Sequence, residues 1–267
     1  MHPVLNIAIQ AARRAGNVVL RYSNQLERLT IETKGRNDFV TVVDRQAESE
    51  IIATIQRAFP DHSILAEESG LDEKDSSPYK WVIDPLDGTT NFLHGYPQFG
   101  ISIGVLNNGR LDQAVVFDPL RNEMFTASRG EGAKLNDRRI RVSTTGKMEN
   151  ALIGTGFPFR SYENLETWID CFREILPKTS GVRRAGSASL DLAHVASGRL
   201  DGFWEIGLSP WDISAGCLLI QEAGGMVSDF AGKQDFLVSG NVIAGNPKIY
   251  EEVYRILKST LPENLKN

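Results

Sequence analysis

Acidic residues at the ends of apolar runs are the chemistry this chain offers. Glu67 follows Ser63-Ile64-Leu65-Ala66, and Asp84 follows Trp81-Val82-Ile83, with Asp87 just beyond it. Glu205 closes the run from Leu200, and Asp212 opens a helix of small residues after Trp211. In α/β folds, strand ends and helix starts converge on a cleft outside the sheet. Ionised carboxylates gather in such a cleft only when cations compensate them. An all-oxygen ligand set suits Mg²⁺ or Mn²⁺. The 4 histidines stand at no ligand spacing, which argues against zinc, and His94 and His194 are expected to be surface or locally satisfied residues.

The richest stretch is Trp81-Val82-Ile83-Asp84-Pro85-Leu86-Asp87-Gly88-Thr89-Thr90-Asn91-Phe92. Its first residues suit a short buried strand. Pro85 lacks a backbone donor and is expected to end the ladder at Asp84. Leu86 then offers its carbonyl between the two carboxylates. A Thr beside Gly88 is expected to cap a helix whose exposed N–H groups attract an anion. Carboxylates and anion-binding N–H groups side by side conflict unless a divalent cation joins them. A lone D-x-x-D is more often an Asx-turn; the strand–Pro–Gly–Thr context favours the cation.

The surrounding pattern supplies the elements. Leu5, Ala8, Ile9, Ala12, Ala15 and Val19 make an amphipathic helix. Thr33 to Asp38 is expected to be a loop, and a second helix is expected to start with Asp44 at or near its N-cap and end at Phe59-Pro60. Asp72 to Pro78 is expected to be a charged, mobile loop. Strands are expected at Gly100–Leu106, Gln113–Phe117, Met124–Ala127 and Arg138–Val142, with a hairpin turn at Asn107-Asn108-Gly109, making a largely antiparallel sheet. Later strands are expected near 151–156, 200–205, 226–229 and 242–245, with helices near 165–176, 190–198, 211–222 and 248–260. One domain spanning 1–267 is expected, with a soft internal boundary near residue 145.

Composition narrows the function class. The 267 residues carry 24% charged and 41% hydrophobic residues, ordinary for a globular protein. A net charge of −5 gives no electrostatic reason for non-specific nucleic-acid or membrane binding. Cys171 and Cys217 stand in apolar helix-like stretches, which suits a reducing cytosol rather than a disulfide framework. No signal peptide or membrane span is expected, so the chain is expected to be cytoplasmic. A P-loop, a dinucleotide fingerprint and a nucleophile elbow are all missing from the sequence.

Glu67-Glu68-Ser69, the stretch from Trp81 to Phe92, and Trp211-Asp212 running to Glu222-Ala223-Gly224-Gly225 together resemble the inositol monophosphatases, of the lithium-sensitive, magnesium-dependent phosphatase superfamily. Within that family the chain is most similar to the bacterial SuhB group, through its N-terminal octapeptide and Arg183-Arg184-Ala185-Gly186-Ser187-Ala188. The resemblance implies a five-layer αβαβα sandwich of the type shared with fructose-1,6-bisphosphatase, a homodimer, and hydrolysis of myo-inositol 1-phosphate with two or three Mg²⁺ ions. It implies that Glu67, Asp84 and the Leu86 carbonyl hold a first metal, and that Asp84, Asp87 and Asp212 hold a second. Thr89 with Asp44 would orient and deprotonate the attacking water. Gly88 and Thr89 would bind phosphate, and Glu205, with Gly186 and Ala188, would contact the inositol hydroxyls. Lys34 matches a lysine on a mobile flap, and Ser214 departs from the usual Ala. The resemblance leaves other phosphomonoesters open as substrates: a sugar bisphosphate, a nucleotide 3′-phosphate or histidinol phosphate. It also implies a non-catalytic alternative, antitermination of rRNA transcription through Nus factors and RNA polymerase. Arg183-Arg184 is expected to form a dimer or partner surface rather than to act in catalysis.

Overall fold

The computed structural model describes residues 2–23, 25–26, 31–35, 38–74, 77–158 and 162–266, with 31–35 and 38–40 as backbone alone. Alanines and branched side chains recurring at helical spacing give α1, Pro3–Ser23, a buried stripe of Val4, Leu5, Ala8, Ala11, Ala12, Ala15, Val18 and Val19. Small side chains let a second helix lie close, and α1 packs on α2, Val42–Ala58. Between them runs a hairpin of β1, Ile31–Gly35, and β2, Asp38–Thr41. The stretch expected to be a loop, Thr33 to Asp38, is thus largely strand. The Lys34 side chain lies outside the described residues, as do residues 75 and 76 of the charged loop.

Helix α2 also starts earlier than its pattern suggests. Thr41 is the N-cap, and its hydroxyl accepts the Val43 N–H at 3.0 Å. Asp44 sits at the third helical position, where Oδ2 takes the Thr41 N–H at 2.8 Å, completing a capping box. The capping signal spans two residues, so an Asp judged alone is placed one turn too early.

The first sheet is built from β3 Ser63–Ala66, β4 Gly70–Asp72, β5 Tyr79–Asp87, β6 Gly100–Asn107, β7 Arg110–Asp118, β8 Glu123–Ser128, β9 Gly132–Leu135 and β10 Arg138–Arg139. Their spatial order is β10-β9-β8-β7-β6-β5-β3-β4, antiparallel except where β3 runs beside β5. The hairpin at Asn108-Gly109 is present, both residues adopting positive φ. β9 had no run of branched residues to signal it, and β10 is shorter than expected. The second sheet comprises β11 Leu152–Thr155, β12 Gly181–Arg183, β13 Gly202–Glu205, β14 Met226–Ser228 and β15 Val242–Gly245, in the order β12-β11-β13-β15-β14.

Two-residue alternation sorts side chains onto the two faces of the first sheet. Trp81, Ile83, Ile101, Ile103 and Val115 join the core under α1 and α2. Ala114, Val116, Phe125 and Ala127 face the opposite way, against α5, Ala188–Ala196, and α6, Pro210–Glu222. That helix pair fills the space between the sheets. α4, Leu165–Ile175, and α7, Pro247–Thr260, cover the far face of the second sheet with a third core around Trp168, Trp204 and Ile243. The result is a five-layer αβαβα sandwich. At Gly104 a Cβ would lie 2.3 Å from the Ser214 hydroxyl, so α6 rests directly on bare strand backbone.

His194, on α5, meets the Phe125 ring edge-on at 6.3 Å. Burial, reinforced by the Arg199 and Arg121 charges and opposed by Glu123 and Asp118, lowers its pKa from 6.5 to about 4. The fold favours neutral His194, so this contribution is complete above pH 6.5 and is lost as pH falls towards 4. Thermal unfolding followed between those limits should show a shallower loss of Tm in His194→Gln than in the wild type. Parallel curves would remove His194 from the acid response.

Candidate active site

The strand bearing Asp84 does not stop at Pro85. β5 continues to Asp87, but Asp84 pairs with Ser102 while Asp87 pairs with Gly100, so β5 carries one extra residue across this step. A residue without an N–H fits such a bulge. In a regular strand, side chains an odd number of positions apart face opposite ways. The bulge restores phase: Leu86 enters the core beneath α1 and α2, while Asp84 and Asp87 both face the inner side.

There they meet Asp212. Carboxylate oxygens of Asp84, Asp87 and Asp212 lie within 4.8 Å of one another, and all three residues are buried. Each is tied by donors of the fold. Asp84 Oδ1 accepts the Leu86 N–H at 2.9 Å. Asp87 Oδ2 accepts the Ser187 hydroxyl, the Ser189 N–H and the Ser189 hydroxyl at 2.6, 2.8 and 2.5 Å, all from the start of α5. Asp212 is the third residue of α6, and its Oδ2 accepts the Ser209 N–H at 2.7 Å, the arrangement Asp44 has on α2. Burial first, then the charges of Glu67, Asp87 and Asp212, push the Asp84 pKa well up. Burial likewise raises Asp87 against the pull of its serine donors.

Glu67 reaches the same cavity from the end of β3. The turn that presents it is fastened by Glu48, a buried residue of α2 whose two carboxylate oxygens accept the Glu68 and Ser69 N–H groups, each at 2.9 Å. Thr89 opens α3, Thr89–Leu93, whose N-cap is Gly88 at φ 96° rather than a threonine. The Thr89 hydroxyl lies 3.0 Å from the Leu86 carbonyl and 3.1 Å from Asp44 Oδ1. Asp44 therefore stands behind Thr89 and reaches the cavity through it. Its pKa is raised by burial, with Thr41 and Thr89 opposing.

The cavity has a volume of about 540 Å³. Glu205, Gly186, Ala188, Ser187 and Asp191 line the side opposite β5. The Glu205 carboxylate lies over Gly156, where a Cβ would sit 1.9 Å from Oε1; only glycine leaves that space. The Asn91 amide donates to the carbonyls of Gln98 and Ala185, at 2.7 and 2.9 Å, and so joins α3 to the loop before α5.

One expectation needs correction. Arg183 is exposed and turns back onto the Val182 carbonyl, whereas Arg184 lines the cavity with its guanidinium 5.0 Å from the Phe157 ring centre. The two side chains diverge at the end of β12, Arg183 to the surface and Arg184 to the cavity. His94 is exposed at the cavity mouth, and His194 lies outside it. Glu48, Ser187, Ser189 and Asp191 were not singled out beforehand. Glu48 and Asp191 carried a signal, each being an acid inside an otherwise apolar helical face; the serines carried none.

The residues suit a hard divalent cation: clustered carboxylates, a carbonyl oxygen and no nitrogen or sulfur donor in the triad. A profile of the inositol monophosphatase family matches residues 1–261. Nus factor SuhB of Pseudomonas aeruginosa is 52% identical over 270 residues, covering 100% of both chains. The crystal structure of extragenic suppressor protein suhB from Bartonella henselae superposes with a TM-score of 0.94 at 42% identity, covering 97% of this chain and 100% of that one. Inositol monophosphatase from Anabaena superposes with a TM-score of 0.85 at 40% identity, covering 98% and 97%.

Crowded like charges destabilise the metal-free protein. Because the folded-state pKa of Asp84 lies above its ordinary value, the cost appears as pH rises and is present at neutral pH. Asp84→Asn should therefore raise Tm in EDTA by about 2–4 °C, and Mg²⁺ should stabilise the wild type far more than the variant. A lower Tm with undiminished Mg²⁺ stabilisation would count against this account of the cluster.

Proposed function

The chain belongs to the inositol monophosphatase family, and from that premise we propose that it is a Mg²⁺-dependent phosphomonoesterase acting on myo-inositol 1-phosphate and related inositol monophosphates. The observation that carries the reading is the buried Asp84–Asp87–Asp212 triad facing Thr89 and Glu205 across one cavity. Glu67, Asp84 and the Leu86 carbonyl would hold one ion, and Asp84, Asp87 and Asp212 another. When bound, Mg²⁺ supplies charge neutralisation and Lewis-acid polarisation of the phosphate and makes water a better nucleophile.

The chain's own residues do the rest. Asp44, fixed by two contacts from Thr41, accepts the Thr89 hydroxyl proton, so that one lone pair of the Thr89 oxygen faces the attacking water and, as it takes the water proton, its own proton passes to Asp44 Oδ1. The N–H groups of Gly88 and Thr89, at the start of α3, receive phosphate oxygens. Glu205, with Gly186 and Ala188 beside it, accepts hydrogen bonds from the hydroxyls of the leaving alcohol. Phosphate monoester hydrolysis is exceptionally slow without catalysis, so positioning and charge neutralisation must supply nearly all of the acceleration.

Full-length likeness to a protein named Nus factor SuhB supports a second role for this chain in transcription antitermination, through Nus factors or RNA polymerase. The two roles separate in one variant: Asp87→Asn would lose hydrolysis and keep partner binding.

Phosphate release from myo-inositol 1-phosphate should require Mg²⁺, stop in EDTA, and fall by about three orders of magnitude in folded Asp87→Asn. Full activity in that variant would overturn the role given to Asp87.

A further inference from the structure

Asp191 stands on α5 between Leu190 and Leu192, is 3% exposed, and yet lines the cavity. Most acids of the site accept donors from the fold: Asp44 from Thr41 and Thr89, Asp84 from Leu86, Asp87 from two serines, Asp212 from Ser209. Asp191 does not. Among the described residues no N–H or O–H donates to its carboxylate, and its pKa is pushed well up by burial and by Asp87, against the partial relief of the Arg184 charge. Glu205 shares the situation: burial dominates, Arg184 relieves it, and Asp191 is among the charges that oppose ionisation. Among the described residues, two acceptors therefore face the same cavity on the side away from β5 without a donor from the fold.

Resting on the phosphatase reading above, we propose that Asp191 is a substrate-binding residue that, together with Glu205, accepts hydrogen bonds from two hydroxyls of the alcohol moiety, making the site selective for phosphate esters of cyclic polyols over esters of alcohols without further hydroxyls. The physical basis is asymmetric. A ligand that excludes water from a buried carboxylate without offering a donor leaves that carboxylate unsatisfied, which costs far more than a matched hydrogen bond gains. Sites built to bind a hydroxyl accordingly reject analogues lacking it more strongly than apolar pockets discriminate by size. The second carboxylate also explains the acidic character of the wall. With Mg²⁺ offsetting the carboxylates of the Asp84–Asp212 end, the acids of the opposite wall would direct the phosphate to that end and the hydroxyls towards α5.

The test compares kcat/KM for myo-inositol 1-phosphate and phenyl phosphate at saturating Mg²⁺ in the wild type, Asp191→Ala and Asp191→Asn. The expected result is a loss of about 10- to 100-fold on the inositol ester in Asp191→Ala, carried mainly by KM, with a much smaller loss on phenyl phosphate. Asp191→Asn, which keeps an acceptor of the same size, should lie between; it carries the test alone if the alanine variant does not fold. Equal losses on both esters, leaving the substrate ratio unchanged, would overturn the inference, since Asp191 would then serve only to position Arg184 or Asp87. A wild type that releases phosphate from neither ester would overturn the phosphatase reading and this inference with it. Release from both with an unchanged ratio in the variants overturns the inference alone.

Discussion

Like charges held close together in a poorly solvated cleft set the terms for the rest of this structure. Asp84, Asp87 and Asp212 converge within 4.8 Å, and no packing of apolar side chains could hold three carboxylates there. Neutral donors of the framework do so instead. The Leu86 N–H, the serines of α5 and the Ser209 N–H each fix one oxygen, while burial and mutual repulsion raise the proton affinity of Asp84. A cation is the natural completion of that arrangement, and the helices are placed so that their first turns supply the donors.

The donors come from different layers of the fold. Asp87 belongs to the first sheet but is gripped by α5, in the layer between the two sheets. Asn91, in α3, reaches the carbonyls just before α5. Glu205 leaves the second sheet and can lie flat only because Gly156 has no side chain. Capping and site building are the same interaction twice over: Asp44 and Asp212 each use one oxygen to start a helix from its third position. A substitution at either residue therefore disturbs a helix end as well as the site.

Much of this was legible in the order of residues, for identifiable reasons. Glu67, Asp84 and Glu205 could be placed because apolar runs stop immediately before them, and strand ends meet at one edge of a layered fold. The αβαβα architecture followed from the family resemblance, and alternating runs between Gly100 and Ala127 marked the antiparallel sheet. The first hairpin was missed because Thr33 to Asp38 is polar on both faces, so its pairing leaves no periodic trace. Thr41 was missed as a cap because it lies inside the apolar run from Phe39 to Val43. Arg184 and Asp191 could not be placed: an arginine beside an arginine resembles a solvated patch, and the space for the Arg184 guanidinium depends on Gly186 having no side chain.

The extra residue in β5 has a consequence for how such a site can arise. A strand counts in twos, and Asp84 and Asp87 are an odd number apart. Point substitutions change which side chains occupy the count but never its parity. No series of single replacements on an uninterrupted strand would bring a D-P-L-D pair to one face; the change of phase requires a residue gained or lost. The spacing from Trp81 to Gly88 is therefore expected to tolerate changes of side chain more readily than changes of length, since a residue gained or lost there would return one of the two aspartates to the other face.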